Sequence, residues 1–87
     1  MEIYYTYIIE SIKTSNWYIG HSDDTDRRLI EHNSGQNKST KGKGPWKFIF
    51  LRSFNSKIEA NRFELKLKKL RNKGYIRKEY SEYFLDT

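Results

Sequence analysis

The apolar positions of the chain follow strand-like runs in its first part and a helical stripe in its second part. Residues 3–9 are rich in β-formers and lack clean apolar–polar alternation, which predicts a strand that is covered on both faces. Residues 11–16 are turn-like, and residues 17–21 predict the returning strand of a hairpin. If the hairpin is symmetric about this loop, Tyr7 lies opposite Tyr18 and both phenols point to the same side of the sheet.

The next segment combines a glycine turn with a short helix. Gly20 and the Ser, Asp and Thr residues after it end the second strand and supply N-cap candidates, which predicts a helix from near Asp24 to Asn33. Arg28 and His32 are four residues apart, so they lie side by side on one face of that helix. We therefore expect a tyrosine, a cation and an imidazole within one strand–turn–helix unit, which suits a phosphate substrate.

A basic loop follows this helix. Residues 36–44 form a flexible loop that contains three lysines and no acidic residue. Loops of this kind are often only solvated, but the one-sided charge makes contact with phosphate an equal alternative. The lysines concerned are Lys38, Lys41 and Lys43.

The second half of the chain predicts one more strand and a long helix. The strand runs from Trp46 to Ser53 and is apolar on both faces apart from Lys47. The helix is capped by Asn55 or Ser56 and extends to residue 70 or beyond. Its core-facing stripe consists of Ala60, Phe63, Leu67 and Leu70.

Together these elements predict an α/β (α+β) fold, in which a small three-stranded, mostly antiparallel sheet is flanked by helices in the order ββαβαα. Gly74 is the predicted C′ residue of the long helix, and a short final helix is expected to pack back on the domain. The residues that make this contact are Ile76, Tyr80 and Phe84. We expect residues 1–87 to form a single domain, with its core over 3–71 and a helical tail over 75–87.

Composition adds a class of partner to this fold. The 87 residues carry a net charge of +6, and 16% of them are aromatic. A small basic domain with many aromatic residues suits nucleic acid, because lysines displace counterions and aromatic rings stack on bases. The equal alternative is a basic protein whose aromatic residues are simply core.

Other functional classes are disfavoured by what the sequence lacks. The chain has no cysteine, which excludes a disulfide framework and a thiolate zinc site. It shows no secretory signal pattern and no apolar run of the ~20 residues that a membrane span requires. We therefore expect a soluble, cytoplasmic (intracellular) protein without membrane contact.

One carboxylate in the long helix has an unusual position. Glu64 lies beside the apolar stripe rather than on the opposite, solvent-facing side of the helix. Lys68, one turn later, offers an ordinary surface ion pair worth a few tenths of a kcal/mol. The sharper interpretation is a metal ligand, because a carboxylate at the margin of a core holds Mg²⁺ when water and phosphate oxygens complete the shell.

Taken together, these residues resemble the GIY-YIG nuclease family. Tyr18-Ile19-Gly20 is the second half of the family name as it stands, and Tyr5-Thr6-Tyr7 is an altered first half that keeps the closing tyrosine. Arg28 lies eight residues past the glycine, and His32 lies where the family carries histidine or tyrosine. Glu64 lies in a segment similar to the family helix that bears the metal-binding glutamate. The resemblance covers about residues 3–71.

The resemblance implies an endonuclease, a phosphodiester hydrolase that cleaves DNA with Mg²⁺ or Mn²⁺. In that interpretation Glu64 anchors the metal and Arg28 neutralises charge on the phosphoryl oxygens. Tyr7 accepts or relays the proton of the attacking water, and Tyr18 positions the water or the phosphate. The implied catalytic set is Tyr7, Tyr18, Arg28, His32 and Glu64, with DNA contacts at His21, Lys38, Lys41, Lys43 and Lys68.

Each of these residues also has a plainer interpretation. Tyr7 and Tyr18 could be sheet packing, Arg28 a surface arginine, and His32 a histidine favoured by the helix dipole. The alternative function is a non-catalytic nucleic-acid-binding module on the same scaffold. Family members usually gain specificity from an attached DNA-binding domain, for which 87 residues leave no room. A partner subunit, a dimer, or low specificity would each account for its absence.

Overall fold

A computed structural model describes residues 2–86 and contains a three-stranded antiparallel sheet with three helices. The strands are β1 (Tyr4–Ser11), β2 (Trp17–Ser22) and β3 (Trp46–Phe54). The helices are α1 (Thr25–Asn33), α2 (Lys57–Leu70) and α3 (Lys73–Glu79), and a 3₁₀ turn over Ser81–Tyr83 follows. The predicted fold class and the order ββαβαα are confirmed. Met1 and Thr87, the outer limits of the predicted domain and tail, lie outside the described residues.

The sheet places β1 at its centre. The strand order is β2-β1-β3, and β1 pairs antiparallel with both neighbours. A bulge between Ile8 and Ile9 shifts the register with β3. The strand that carries the tyrosine motif, β2, therefore forms an edge of the sheet, and the first tyrosine motif lies on the strand that is held from both sides.

The predicted hairpin register is wrong by two residues. Tyr7 pairs with Gly20, and Tyr18 pairs with Ile9. The strand β1 extends to Ser11, whose hydroxyl accepts hydrogen bonds from the amides of Lys13 and Thr14. A hairpin symmetric about residues 11–16 pairs residue 7 with residue 20, so the predicted pairing placed the centre of the loop one position too early. Because side chains alternate with a period of two, this shift leaves both phenols on the same face.

One face of the sheet packs against α2 and α3 and holds most of the apolar core. Ile8 on β1 and Phe50 on β3 are fully buried, and they meet Phe63 and Leu67 of α2. Burying a side chain of this kind contributes about 1.5–3 kcal/mol. The predicted stripe of α2 is confirmed at Ala60, Phe63 and Leu67, which are buried, while Leu70 is half-buried. We call this side of the sheet the α2 face.

The other face is covered by α1 and by the loop over residues 34–45. Its buried apolar residues are fewer, and they are Tyr7, Ile9 and Trp46. Tyr18, Leu29, Phe48 and Leu51 pack around them. We call this side the α1 face, and it is the side to which both motif tyrosines point.

The end of α2 differs from the prediction at Gly74. The helix stops at Leu70, and Arg71 adopts the left-handed conformation with φ of 50°. The side chain of Asn72 then accepts a hydrogen bond from the amide of Tyr75 and starts α3, so Gly74 lies inside α3. Because Asn72 caps the start of α3, the left-handed residue that ends α2 is the one before it, Arg71.

The C-terminal segment packs against the core as predicted, but only part of it is helical. Ile76 and Phe84 are buried, and Tyr80 packs edge-on against Phe63 with ring centroids 5.1 Å apart. The helix ends at residue 79, and Phe84 reaches β3 in extended form, through a bridge to Phe50. Ile76, Tyr80 and Phe84 thus pack against the core although they do not lie on one continuous helix.

Candidate active site

Tyr7 is the buried centre of the α1 face. Its side chain is fully buried, and its hydroxyl lies 2.9 Å from Nε2 of His32 on α1. The ring passes over Gly20 on the neighbouring strand, where an added Cβ would lie 2.6 Å from the hydroxyl oxygen. Only glycine leaves that space free, so the glycine of the second motif is required by the tyrosine of the first.

A chain of hydrogen bonds continues from Tyr7 into the basic loop. Nδ1 of His32 lies 2.9 Å from the hydroxyl of Thr40, which donates to the carbonyl of Asn37 at 3.4 Å. In the tautomer that carries its proton on Nδ1, His32 donates to the Thr40 oxygen and its Nε2 accepts from the Tyr7 hydroxyl.

Burial sets the protonation states of this pair. It raises the pKa of the Tyr7 phenol to about 12, and the neighbouring Arg28 guanidinium opposes the rise. Burial also lowers the pKa of His32 to about 4, with Arg28 adding to the effect and Glu31 opposing it. At neutral pH the phenol therefore keeps its proton, and the imidazole is neutral and able to accept one.

Tyr18 and Arg28 lie around this pair. The Tyr18 ring centroid is 6.5 Å from that of Tyr7 and 4.7 Å from that of His32. Arg28 donates from Nη1 to Glu31 at 2.8 Å, one turn along α1. The ion pair with Glu31 holds the guanidinium next to Tyr7 while the side chain stays partly exposed, which leaves it accessible to an anion.

Glu64 is on the α2 face and is 8% exposed. One carboxylate oxygen lies 2.6 Å from Nδ1 of His21, and the other accepts from Nζ of Lys68 at 2.6 Å. The ion pair between Glu64 and Lys68, the plainer interpretation from the sequence, therefore forms. The bond to His21 was not predicted, since it joins residues 43 positions apart and depends on how α2 lies on β2.

The phenols and the carboxylate approach each other from opposite faces of the sheet. His21 pairs with Thr6 on the α2 face, while Tyr7 and Gly20 are on the α1 face. Glu64 nevertheless contributes electrostatically to the raised pKa of Tyr7. Gly20, which the Tyr7 ring approaches, and His21, which bonds Glu64, are consecutive residues of the edge strand β2.

A surface cleft of about 260 Å³ opens where these groups approach the solvent. His21 and Arg28 line it, so it borders both the Glu64 pair and the guanidinium. Its other lining residues are Tyr4, Ser22, Asp23, Arg27 and Lys57. A phosphate in this cleft would meet three basic side chains and the imidazole, which matches the chemistry of an anion site.

Two supporting residues were not assigned a role from the sequence. Glu31 anchors Arg28, and its spacing of three residues on one helix was a usable signal. Thr40 contacts His32 across the loop, and no local pattern predicts that contact. The predicted DNA-binding lysines Lys38, Lys41 and Lys43 are exposed, and Lys43 borders a hollow that Tyr18 also lines.

The donor set of the candidate metal site is small. Within residues 2–86, no group of three or more His, Asp or Glu side chains is arranged to enclose a metal ion. A single carboxylate fits Mg²⁺, which is commonly held by one or two carboxylates while water and substrate phosphate supply the other ligands. Across the same residues, no helix is long and apolar enough to cross a membrane.

Comparison with protein families gives one match over most of the chain. Residues 3–80 match the family model described as GIY-YIG catalytic domain. The match includes both tyrosine motifs, α1 and α2, which are the elements that build the site.

Individual proteins give a consistent result. The chain is 43% identical over 68 residues to UPF0213 protein BH0048 of Halalkalibacterium halodurans, covering 77% of this chain and 71% of that protein. The solution structure of that protein, under the name Bacillus halodurans, covers 91% of this chain and 83% of its own, with a TM-score of 0.54 and 35% identity.

A eukaryotic protein matches a shorter part of its own length. The chain is 41% identical over 71 residues to structure-specific endonuclease subunit SLX1 of Kluyveromyces lactis. The match covers 72% of this chain and 25% of that protein.

Proposed function

The chain belongs to the GIY-YIG family of catalytic domains, and from this premise we propose that it is an endonuclease that hydrolyses DNA phosphodiester bonds with a divalent metal ion. The observation that carries the proposal is the buried bond between Tyr7 and His32 beside the partly exposed Arg28. A purely structural role in packing the sheet would not require a neutral imidazole bonded to a phenol beside a fixed cation.

Glu64 is the residue that would hold the metal, Mg²⁺ or Mn²⁺. When bound, such an ion supplies Lewis acidity to the phosphate and stabilises the charge on the leaving oxygen. The donor chemistry fits, because Glu64 is a carboxylate bonded to His21, which lines the cleft. To hold the ion, Glu64 would give up its bonds to His21 and Lys68, and those two side chains would then be able to contact the substrate.

Arg28 is the residue that would bind the scissile phosphate. Its guanidinium lines the cleft and is fixed by Glu31, so little side-chain entropy is lost when the anion binds. As charge builds on the phosphoryl oxygens, a preorganised guanidinium stabilises it. Removing one such donor typically costs about 10²–10³ in rate.

Tyr7 and His32 would move the proton. Since the pKa of Tyr7 is about 12, the phenol is not a free base at neutral pH. It relays instead: a proton of the attacking water passes to the Tyr7 oxygen as the phenol's own proton passes to Nε2 of His32. The water oxygen bonds to phosphorus, and the bond from phosphorus to the 3′ oxygen breaks. Tyr18 orients the water or the phosphate from the same face.

The nuclease class also has support from a relative. The Kluyveromyces lactis protein is named as a structure-specific endonuclease subunit, and this chain matches a quarter of it. We extend the endonuclease activity to this chain, together with an intracellular location and specificity supplied by a partner subunit or a dimer.

Cleavage of supercoiled DNA tests the proposal. We expect the wild type to nick the plasmid in Mg²⁺ or Mn²⁺ and not in a chelator. Glu64→Gln and Glu64→Ala should lower the rate by about 10³-fold, since the charge that binds the metal is lost. Glu79→Gln is the matched control, because Glu79 is an exposed glutamate of α3, and it should cleave at the wild-type rate. Cleavage that persists unchanged in both Glu64 variants contradicts the assignment.

A DNA-binding module without cleavage is the second candidate. It is favoured by the two short bonds that already occupy both oxygens of Glu64. A protein that binds DNA with a steep salt dependence, yet nicks no supercoiled, branched or single-stranded substrate with either metal, would establish this second function.

A further inference from the structure

A second concave surface lies along the edge strand β2, apart from the cleft lined by His21 and Arg28. It is a groove of about 330 Å³ between β2 and the junction of α2 with α3. Its floor is apolar, and it is formed by Trp17, Ile19, Leu67 and Ile76. Its remaining lining residues are Tyr18, Lys68, Arg71, Asn72 and Lys73. We call it the β2–α3 groove.

The composition of this groove matches one kind of ligand. Its volume is at the lower end of the ~300–1,000 Å³ that small organic ligands occupy. A flat apolar ring suits the floor, and anionic oxygens suit the cations at the rim. Nucleotides combine these two parts. A base inside a duplex is stacked and paired, so only an unpaired nucleotide can place its ring against the half-buried Trp17 and Ile19.

The backbone at the rim supports a binding role. Arg71 and Ser15 are the two non-glycine residues with positive φ among residues 2–86, and both lie beside the groove. Arg71 lines it, and the carbonyl of Ser15 accepts a hydrogen bond from Lys73 at 2.9 Å. Glycine is the favoured residue at a left-handed helix end. An arginine there costs stability, and strained positions of this kind gather at ligand sites.

The start of α3 also carries a positive charge that is unfavourable for helix stability. Lys73 is its first residue, and its first turn contains no acidic side chain. A cation at a helix N-terminus opposes the helix dipole. Arg71 and Lys73 are thus both residue types that destabilise the backbone at their positions, and both add positive charge to the rim of the same apolar groove.

The groove also continues toward the predicted DNA-binding loop. A neighbouring hollow of about 350 Å³ shares Trp17, Tyr18 and Lys73 with it and ends at Lys43. A strand that follows this path passes Arg71, Lys73 and Lys43 in turn. Its phosphate groups meet a cation at each step, and Tyr18 connects the path to the catalytic groups.

We propose that the β2–α3 groove binds an unpaired nucleotide of the DNA substrate next to the scissile phosphate. This inference rests on the proposed function, and it names the substrate class: DNA with a single-stranded segment at the cut. Arg71 and Lys73 hold the phosphates, the apolar floor holds the base, and duplex DNA without an unpaired segment uses only the cleft beside Arg28.

Binding without cleavage tests the groove. Fluorescence anisotropy would measure the Kd of the wild type and of Arg71→Gly for a labelled oligothymidylate and for a blunt duplex, in a chelator. We expect Arg71→Gly to weaken binding of the single strand about 10-fold, because the guanidinium that contacts a phosphate at the groove rim is lost. Binding of the duplex should change less than about twofold. Thermal stability should not fall, since glycine relieves the left-handed backbone.

Lys66→Ala is the matched control. It removes one positive charge from an exposed position of α2 that lies outside the groove, and it should affect both ligands equally and weakly. Equal losses in Arg71→Gly and Lys66→Ala, or equal losses for single strand and duplex, would overturn the proposal, because binding would then follow net charge alone.

The outcome is separable from that of the proposed function. If Arg71→Gly weakens single-strand binding as expected but the wild type cleaves no DNA, the groove proposal stands and the nuclease proposal fails. If cleavage depends on Glu64 but Arg71→Gly binds single strands normally, the nuclease proposal stands and the groove proposal fails.

Discussion

The two faces of the sheet are built on different principles. The α2 face is filled with hydrocarbon and aromatic rings, such as Ile8, Phe50 and Phe63. The α1 face buries fewer apolar side chains and gives its centre to the polar chain of Tyr7, His32 and Thr40. The comparison teaches that most of the apolar core and the Tyr7–His32 pair lie on opposite faces, while the candidate metal ligand Glu64 belongs to the α2 face. The same substitution should therefore have different consequences on the two sides.

Removing a phenolic hydroxyl from each face gives the largest contrast. In the proposed mechanism Tyr7→Phe removes the group that relays the proton, and we expect DNA cleavage to fall by about 10²–10³-fold, as for the loss of a general acid–base group. The variant also leaves Nε2 of His32 without its partner, at a cost of about 1–3 kcal/mol in the free energy of unfolding. Nicking rates and urea denaturation measure the two effects.

Tyr83→Phe is the control on the α2 face. Tyr83 packs edge-on against Phe50 with ring centroids 5.8 Å apart. It should cleave within about twofold of the wild type, since its hydroxyl is remote from the relay. Similar loss of cleavage in the two variants would contradict the separation of the faces.

Acid should weaken the α1 face through His32. Folded His32 has a pKa of about 4, whereas an unfolded histidine titrates near 6.5. Between these values the unfolded chain binds the additional proton, so the free energy of unfolding decreases as pH falls from 6.5 to 4. The decrease for this group is up to about 3 kcal/mol. Urea denaturation at pH 7 and 4.5 should show a smaller decrease in His32→Gln, and equal decreases would rule out a buried neutral imidazole.

Adding a single methyl group should also have different effects on stability and cleavage in the two regions. In Gly20→Ala the new Cβ meets the Tyr7 hydroxyl at 2.6 Å and displaces it from His32. We expect a loss of about 1–3 kcal/mol in the free energy of unfolding, typical of overpacking, and at least about 10-fold slower cleavage. Differential scanning calorimetry and nicking assays measure these changes.

Gly74→Ala provides the matched control on the other side of the molecule. The added Cβ comes no closer than 3.5 Å, to Oδ1 of Asn72, and Gly74 lies inside α3. Alanine should therefore stabilise the helix by about 0.5–1 kcal/mol without altering cleavage. If Gly20→Ala is equally harmless, the close approach of Tyr7 to β2 is not required.

The smallest expected contrast involves two buried threonines. Thr40→Val removes the acceptor that holds Nδ1 of His32, so the imidazole tautomer is no longer fixed and cleavage should fall about 5- to 10-fold. Thr6→Val on the α2 face removes a 2.7 Å bond to the carbonyl of Ala60. It should cost about 1 kcal/mol of stability and leave cleavage unchanged. A shifted pH–rate profile in Thr40→Val alone would identify Thr40 as a positioning residue.

Much of the fold could be predicted from the sequence because it depends on interactions between residues that are close together in the chain. The stripe at Ala60, Phe63 and Leu67 and the cap at Ser56 both depend on neighbours within one or two helical turns. The register of the hairpin follows from the loop over residues 11–16, and the predicted pairing of Tyr7 with Tyr18 is wrong because it places the centre of that loop one position too early. The predicted end of α2 at Gly74 is wrong for another reason, because the side chain of Asn72 caps α3 and the long helix ends before it.

The candidate site was predictable as a set of residues but not as a network. The motif positions Tyr7, Tyr18 and Arg28 identify which side chains to consider. The bonds from His32 to Thr40 and from His21 to Glu64 join segments that only the tertiary structure brings together. Their roles in cleavage stay predictions until the variants above are assayed.

The central position of β1 has a consequence for how the site moves. Tyr7 lies between two paired strands, facing Gly20 on one side and Leu51 on the other. Its backbone has no hinge and no free edge, so the phenol leaves its place only when the whole sheet separates. Deuterium exchange at the Tyr7 amide should thus run at the rate of global unfolding. If the proposed function is correct, the DNA rather than the Tyr7 hydroxyl is the part that adapts when the two meet.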